Sequence, residues 1–254
     1  MRPPLAFWTT SGTKKDVKLK HTLSMTSGFN ASPLVGGCQL LPTMALYACA
    51  KSIHDLRYDI LRPGNAPGAQ YSYGPHGIQV AAAYLEAKDT SIEPSATPAR
   101  QRNIHELFRQ HVTGPLDMDN TTWYNPTGNA PTNPWIAGGA YSTPRDYAKL
   151  LRAMLAGSFI TDMTGFTQPR TTGLPRVFVP GSAGSWEYAL GSFVECDTPS
   201  ACATSQINSS PGAYGWTGWI DRDTGYYALI ATEITTGGDR KGVELEQVMQ
   251  DRIE

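Results

Sequence analysis

The chain has 254 residues, of which 40% are hydrophobic, and its 21 Lys and Arg against 22 Asp and Glu give a formal net charge of −1. This is an ordinary globular composition, and the lack of a basic excess argues against nucleic acid or an anionic membrane as a partner. No apolar run approaches the roughly 18 residues that a membrane-spanning helix needs. Residues 1–16 contain no apolar stretch long enough for a signal peptide, so a secretory signal would have to lie upstream of Met1.

Hydrophobic periodicity predicts five helices along the chain. Two of them carry start signals. Asn103 stands three positions before Glu106, which is a capping-box pattern, and Thr143 precedes Pro144 at the first helical position. The five helices are expected at residues 43–56, at residues 77–87, directly after Asn103, at residues 144–156 and at residues 243–253.

Strands are predicted late in the chain, at residues 188–194, 213–220 and 226–233, where aromatic and β-branched residues concentrate. Between the last two lies the segment DRDTG, residues 221–225, which is typical of a hairpin loop. The predicted order is therefore a helical middle, three antiparallel strands and a closing helix.

The four cysteines form two local pairs, Cys38 with Cys49 and Cys196 with Cys202, whose spacing fits no zinc template. They are either four reduced thiols or two short-loop disulfides, and in an oxidising compartment we expect the disulfides. Three N-x-S/T triplets, at Asn30, Asn120 and Asn208, are compatible with secretion. The five histidines are scattered and predict no metal site.

Five segments, taken in order, resemble one family. They are LKHTLSMTSGF (residues 19–29), PGAQYSYGP (67–75), IHELFRQHVTGPLDMDNTTWY (104–124), IAGGAYSTPRDYAKLLRAML (136–155) and YGWTGWIDRDTGYYALIAT (214–232). Together they are similar to conserved segments of the serine β-lactamase-related hydrolases, which include class C β-lactamases, esterases and penicillin-binding-protein-like enzymes. The resemblance implies one β-lactamase/transpeptidase-like α/β domain over residues 1–254, with an antiparallel sheet flanked by helices and an all-helical lobe.

The resemblance also implies a truncation at the N-terminus. In the family, a Ser-x-x-K motif on a helix lies several tens of residues before the TSG segment, whereas eighteen residues precede Leu19 here. We therefore expect the first sheet strands and the nucleophile helix to be missing. An unpaired, apolar sheet edge is the expected consequence, and such an edge favours association.

The chemistry that the resemblance implies is acyl transfer without a cofactor or metal. In the family, a Ser activated by Lys attacks an amide or ester, a Tyr from a Y-x-N motif shares proton transfer, and a (K/H)-T-G strand lines the cleft. These roles carry over to Tyr73 as the catalytic tyrosine and to Trp216, Thr217 and Gly218 as substrate-binding residues. Tyr73 and Trp216 should then face one cleft, within about 10 Å of each other.

Two positions depart from the family pattern. Pro75 fills the Asn position of the Y-x-N motif, and Trp216 fills the Lys or His position of the strand motif. Trp cannot supply a cation or accept a proton, but it can stack on an apolar acyl group. Purely structural roles remain open for both site aromatics, with Tyr73 packing on the following helix and Trp216 acting as a core or wall residue.

The chain contains one literal Ser-x-x-K sequence, Ser11 to Lys14. A working nucleophile should begin a helix whose next turns are apolar, but the residues that follow Lys14 are polar and strongly charged. Gly12 also disfavours a helix here. We interpret this segment as an exposed loop.

Two functions are compatible with these residues. The first is a β-lactamase-like serine hydrolase of which this chain is an inactive fragment, and the second is a non-catalytic binding protein, a pseudoenzyme, derived from that fold. Either would act on a small-molecule or peptide substrate. Because of the cysteines, an extracellular or secretory location is expected for a full-length parent.

Overall fold

A computed structural model describes residues 5–9, 11–29, 37–57, 66–89, 103–123, 131–234 and 237–253 of the chain. These residues form two compact units. The first comprises the described residues up to Ser142 together with Leu174–Phe178, and the second comprises Thr143–Gly173 and the described residues from Val179 onward. The Asn30 triplet lies outside the described residues.

In its described part, the first unit is helical and has one pair of short parallel strands. Its helices are α1 (Leu19–Leu23), α2 (Leu46–Arg57), α3 (His76–Lys88) and α4 (Ile104–Phe108), and its strands are β1 (Tyr71–Ser72) and β2 (Arg176–Phe178). The predicted helices at residues 43–56 and 77–87 are thus confirmed as α2 and α3. The predicted cap of α4 is also present, because the Asn103 side chain accepts a hydrogen bond from the Glu106 amide at 3.1 Å.

The core of the first unit lies mainly where α2 packs against α3. The Ala-rich face of α3 brings the two helices close together, because alanine adds little bulk at the contact. A disulfide between Cys38 and Cys49 ties a 3-10 turn to α2, as the sequence predicts. The buried core residues are Leu5, Phe29, Leu46, Cys49, Ala50, Ile53, Val80, Ala82, Ala83 and Ile104.

The second unit is built on a five-stranded antiparallel sheet. Its strands lie side by side in chain order: β3 (Glu187–Tyr188), β4 (Phe193–Val194), β5 (Ile207–Pro211), β6 (Thr217–Asp221) and β7 (Tyr226–Ile230). Its helices are α5 (Pro144–Leu155), α6 (Met163–Thr167) and α7 (Gly238–Ile253). Thr143 caps α5 as predicted, and Cys196 is joined to Cys202 by a disulfide.

The prediction of three late strands was wrong in two respects. Residues 188–194 form two strands rather than one, because the chain turns at Gly191, which has a φ of 98°, and the Ala189 amide bonds to the Ser192 carbonyl oxygen at 2.8 Å. β5 was missed because most of its residues are polar.

Asn208 and Ser209 of β5 are buried in spite of this polarity, and Asn208 satisfies its side chain internally. The Asn208 amide donates to the carbonyl oxygens of Thr167 and Phe193, and its oxygen accepts from Arg222 at 2.7 Å. The triplet at Asn208 is therefore buried in the fold, whereas Asn120 is exposed.

Helices α5 and α7 cover opposite faces of β6, since neighbouring strand residues point to opposite faces. On one face, a Cβ atom placed on Gly218 would lie 2.5 Å from the Tyr147 ring of α5. On the other, a Cβ atom on Gly242 of α7 would collide with the Thr217 hydroxyl. Glycine thus allows both close approaches, one on the strand and one on the helix.

Two carboxyl groups are buried where α7 packs on the sheet. Glu246 of α7 is 0% exposed and Glu195, which follows β4, is 7% exposed. Gln250 donates to Glu195 at 3.1 Å. Burial, together with the neighbouring charge of Glu195, raises the pKa of Glu246 to about 10, and burial also raises the pKa of Glu195.

We predict that Glu246→Gln stabilises the protein at alkaline pH. The folded chain retains a proton on Glu246 that the unfolded chain releases above its ordinary pKa of 4.5. Stability is therefore lost as the pH rises from about 4.5 towards 10. The amide keeps the shape of the acid but does not titrate, so in urea unfolding the variant should gain roughly 1–3 kcal/mol at pH 8 over wild type. The gain should shrink or vanish near pH 4.

The matched control is Glu244→Gln, which makes the same chemical change at an exposed position of the same helix. Because water already solvates that side chain, the variant should leave the pH dependence of the urea midpoint unchanged. A Glu246→Gln variant that loses stability at pH 8 would show that the carboxyl pair is not held protonated by burial.

We also predict that Gly218→Ala destabilises the second unit by roughly 1–3 kcal/mol, because the new methyl group must displace the Tyr147 ring. Gly181→Ala is the control, since no atom lies within 4 Å of its added Cβ and its φ is not in the left-handed region. Thermal unfolding monitored by circular dichroism measures both variants. Equal melting temperatures would contradict the packing of α5 on β6.

Candidate active site

Tyr73 follows the parallel strand pair β1–β2 of the first unit. The Tyr71 amide donates to the Pro175 carbonyl oxygen and the Tyr73 amide to that of Phe178, each at 2.9 Å. The Tyr71 side chain is only 1% exposed, whereas Tyr73 is half-buried. Of the two tyrosines in the motif, Tyr73 is therefore the one that solvent reaches.

Pro75 directly precedes α3 as its N-cap residue, and no side-chain hydrogen bond caps this helix. Proline has no side-chain donor, so it cannot make the hydrogen bond that the family's Asn provides. The departure at Pro75 thus changes the hydrogen bonding beside Tyr73 and leaves the start of α3 intact.

Trp216 lies at the end of a tight turn, residues 212–216, between β5 and β6. The Gly212 amide donates to the Trp216 carbonyl oxygen at 2.9 Å, and the Gly215 amide to that of Gly212 at 2.8 Å. This turn is fixed to the chain that follows β7, because the Thr232 hydroxyl donates to the Gly215 carbonyl oxygen at 2.9 Å.

The start of α7 packs directly on the same turn. A Cβ atom on Gly238 would lie 2.4 Å from the Gly215 nitrogen, so the two backbones approach as closely as glycine allows. The backbone at Trp216 is therefore held on both sides, by the first residues of α7 and by β6.

The Trp216 ring makes an edge-to-face contact with Tyr147 of α5, with ring centroids 5.8 Å apart and planes at 87°. Such pairs contribute about 0.5–1.5 kcal/mol beyond the area they bury. Tyr147 is partly buried, and burial raises the pKa of its phenol. Trp216 is only half-buried, so part of its side chain is in contact with solvent.

Thr217 and Gly218 differ from Trp216 because both are buried by the helices. Thr217 is 0% exposed and faces α7, and Gly218 faces Tyr147 of α5. Their direct contribution is packing, and Trp216 is the residue of the three that presents its side chain to solvent. Tyr147 lies in none of the motifs to which site roles were assigned, and its only sequence signal is that it is an aromatic residue of the predicted helix at residues 144–156.

Tyr73 belongs to the first unit and Trp216 to the second. That they face one cleft within about 10 Å therefore stays a prediction.

The expectation of an exposed loop at residues 11–14 holds for Ser11 but not for Lys14, which is partly buried and lies in a 3-10 helix. Ser11 lies on the surface, and its hydroxyl is 3.3 Å from that of Thr9. Lys14 donates to the His54 carbonyl oxygen at 2.8 Å. A short 3-10 helix, Thr13–Asp16, follows Ser11, so the serine does not begin an α-helix.

Across the parts of the chain that the structure describes, no cluster of three or more His, Cys, Asp or Glu side chains has the arrangement of a metal site. The helices in those same ranges are all too short or too polar to cross a membrane.

Several solved structures share this fold. A provisionally named beta-lactamase from Bacteroides dorei matches with a TM-score of 0.73 at 18% identity, over 98% of this chain and 76% of its own. The beta-lactamase/D-alanine carboxypeptidase from Yersinia pestis matches with a TM-score of 0.69 at 16% identity, over 99% and 76%. A D-stereospecific amidohydrolase from Streptomyces matches with a TM-score of 0.60 at 17% identity, over 95% and 77%.

The sequence comparisons give two further findings. A comparison with curated proteins finds no significant match. The Beta-lactamase family model, in contrast, matches residues 3–248, which is nearly the whole chain and includes both units. The antiparallel sheet flanked by helices agrees with the fold expected from the five sequence segments. The chain therefore belongs to the beta-lactamase family and has the β-lactamase/transpeptidase-like fold.

Proposed function

We propose that this protein serves acyl-transfer chemistry of the serine hydrolase type on an amide or ester, and that residues 1–254 alone bind the acyl ligand without turning it over. The proposal rests on the surroundings of the Ser-x-x-K sequence at residues 11–14. Ser11 is exposed and outside any α-helix, and Lys14 is bonded to a backbone carbonyl oxygen of α2. Neither residue has the surroundings that lower the cost of deprotonating a serine.

Trp216 is the residue we assign to ligand contact. Its side chain is half-buried, its backbone is fixed by the 212–216 turn, and its ring packs against the ring of Tyr147. A flat, rigid aromatic surface favours an apolar or aromatic acyl group over a charged one. Tyr73, which solvent reaches, keeps the position of the family's proton-transfer tyrosine.

A non-catalytic binding protein is the second candidate, and the departures at Pro75 and Trp216 favour it. Both remove groups that orient the substrate or carry charge in the family, while leaving a ligand surface in place. The transcript upstream of Met1 separates the candidates. An in-frame Ser-x-x-K several tens of codons before Leu19, with a signal peptide, supports the hydrolase, and a true start at Met1 supports the binding protein.

We further propose an extracellular or secretory location. The disulfides Cys38–Cys49 and Cys196–Cys202 support it, because cytosolic thiols are kept reduced.

We predict that a phenylacetyl amide binds the chain and that Trp216→Ala weakens binding about fivefold, the equivalent of roughly 1 kcal/mol of aromatic contact. Isothermal titration calorimetry measures both affinities. Tyr214→Ala is the matched control, because Tyr214 is an exposed aromatic residue on the same turn and should leave the affinity unchanged.

The same preparations should hydrolyse a chromogenic phenylacetyl ester no faster than the Ser11→Ala variant does. Equal affinities of wild type and Trp216→Ala would contradict the assignment of Trp216 to ligand contact. Turnover that depends on Ser11 would remove the claim of inactivity.

A further inference from the structure

Met25 has a backbone conformation that methionine rarely adopts. Its φ is 59°, and among the described residues only Asp117 shares a positive φ without being a glycine. The Met25 side chain is 3% exposed, so the conformation is held in the interior of the first unit. The left-handed region costs free energy for every residue that has a Cβ atom, so the surroundings must hold Met25 there.

The end of α1 accounts for part of this conformation. The helix ends at Leu23, and the Thr26 amide donates to the His21 carbonyl oxygen at 2.9 Å. This hydrogen bond is typical of a common helix-ending turn, in which a left-handed residue, usually glycine, follows the end of the helix. Met25 occupies that position here. We call residues 24–28 the Met25 turn.

Strand β1 lies between the Met25 turn and the chain at β2. The amides of Tyr71 and Tyr73 donate to carbonyl oxygens on the β2 side, and the Ser72 amide between them donates to the Met25 carbonyl oxygen at 3.1 Å. Successive amides of a strand point to opposite sides, so each neighbour accepts the amides that face it. The backbone directly before Tyr73 is therefore fixed from two sides.

The Met25 turn also contacts the chain before and after the tyrosine. The Thr26 carbonyl oxygen accepts a hydrogen bond from the Gly68 amide at 2.8 Å. A Cβ atom placed on Gly77, at the start of α3, would lie 3.2 Å from the Ser27 hydroxyl oxygen. Glycine at this position thus allows the turn to pack closely against α3. The segment that carries Tyr73 is held by the turn on both sides of the tyrosine.

We propose that Met25 is a positioning residue for Tyr73. Its left-handed conformation sets the direction of its carbonyl oxygen, which fixes the Ser72 peptide group and thereby the direction in which the chain presents Tyr73. The inference rests on the proposed function only in treating Tyr73 as the tyrosine of the site. Met25 and Ser72 are both buried and both belong to the first unit, so the contact does not depend on a free surface.

Packing of the buried methionine side chain is the alternative role, and the two roles depend on different parts of the residue. Positioning depends on the backbone conformation, whereas packing depends on the volume of the side chain. Isoleucine and leucine are isomers that separate them. Isoleucine is β-branched and resists the left-handed region strongly, whereas leucine keeps a similar apolar volume without the branch.

The first test is amide hydrogen exchange of the ligand-free chain, followed by NMR. In Met25→Ile, the protection of the Ser72 amide should fall about tenfold relative to the amides of Tyr71 and Tyr73, because the left-handed region is most costly for a β-branched residue. Those two amides are internal controls, since their acceptors lie on the β2 side. The matched variant Met25→Leu should keep the wild-type pattern.

The second test is the fluorine NMR spectrum of the chain labelled with fluorotyrosine, in which Tyr73→Phe identifies the Tyr73 resonance. That resonance should shift in Met25→Ile and stay in place in Met25→Leu. Asp117→Ile is the control for strain, because it puts the same β-branched residue at the other left-handed position. This control should leave the Tyr73 resonance unchanged.

Three results would overturn the proposal. An equal loss of protection at all three amides in Met25→Ile would show that Met25 stabilises the unit as a whole. A Tyr73 resonance that stays in place in the same variant would show that the hydrogen bond to Ser72 does not set the position of the tyrosine. The same changes in Met25→Leu would assign the effect to side-chain volume.

If Met25→Ile does not fold, Met25→Gly provides the converse test, because glycine adopts the left-handed region freely but has no side chain to pack. The Tyr73 resonance and the relative protection of the Ser72 amide should then stay as in wild type. A shifted resonance would assign the position of Tyr73 to packing of the methionine and would overturn the proposal. Both tests use the ligand-free chain, so a failure of the ligand assignment at Trp216 would leave their results unchanged.

Discussion

The close approach of two helices to strand β6 is the contact on which the rest of the second unit depends. At Gly218 the strand has no side chain, so the Tyr147 ring of α5 lies directly against its backbone. The preceding residue of the strand, Thr217, faces Gly242 of α7 on the opposite side of the sheet. Close-packed interiors transmit such constraints, because a displaced helix would open a gap that its neighbours cannot fill.

The position of Trp216 follows from that packing. Its backbone precedes Thr217 and closes the 212–216 turn, and the Gly238 end of α7 fixes the turn from the other side. Tyr147 packs against Gly218 and against the Trp216 ring, so one tyrosine both sets the distance of α5 from the sheet and contacts the Trp216 ring. The position of the Trp216 ring, to which we assign ligand contact, is thus a consequence of how the core is packed.

The same helix α7 carries two features that cost free energy in the folded protein. Glu246 places an acid against Glu195 in the interior, and a stripe of apolar side chains, Leu245, Val248 and Met249, is exposed to water. A buried carboxyl group that must hold its proton costs stability as the pH rises, and an exposed stripe costs solubility. The contacts of α7 should therefore respond most to pH.

The sequence predicts those elements whose signals are local. The caps at Asn103 and Thr143 and the periodicity of α2 and α3 identify the helices within a few residues. The cysteine pairs are close in sequence, and the family segments identify the fold. Local signals fail where a contact between distant residues decides the outcome, as for β5, whose polar residues are buried because Asn208 bonds to Thr167 and Phe193.

The candidate site was predictable to a smaller extent. The motif register assigns a substrate-binding role to Trp216, Thr217 and Gly218 alike. Successive side chains of a strand point to opposite faces, however, so the three residues have different surroundings. Burial of Thr217 and Gly218 depends on which helix covers which face, and that is set by glycines at residues 218 and 242. The contact of Tyr147 with the Trp216 ring likewise depends on the packing of α5 against β6. No local sequence pattern indicates that packing.

The proposal that residues 1–254 bind an acyl ligand without turning it over requires that no serine in them acts as a nucleophile. The most direct measurement is the intact mass of the purified chain after prolonged incubation with a fluorophosphonate, followed by peptide mapping. The account predicts an unmodified mass for wild type and for Ser11→Ala alike. A stoichiometric adduct that maps to Ser11, or to any other serine of the chain, would contradict it.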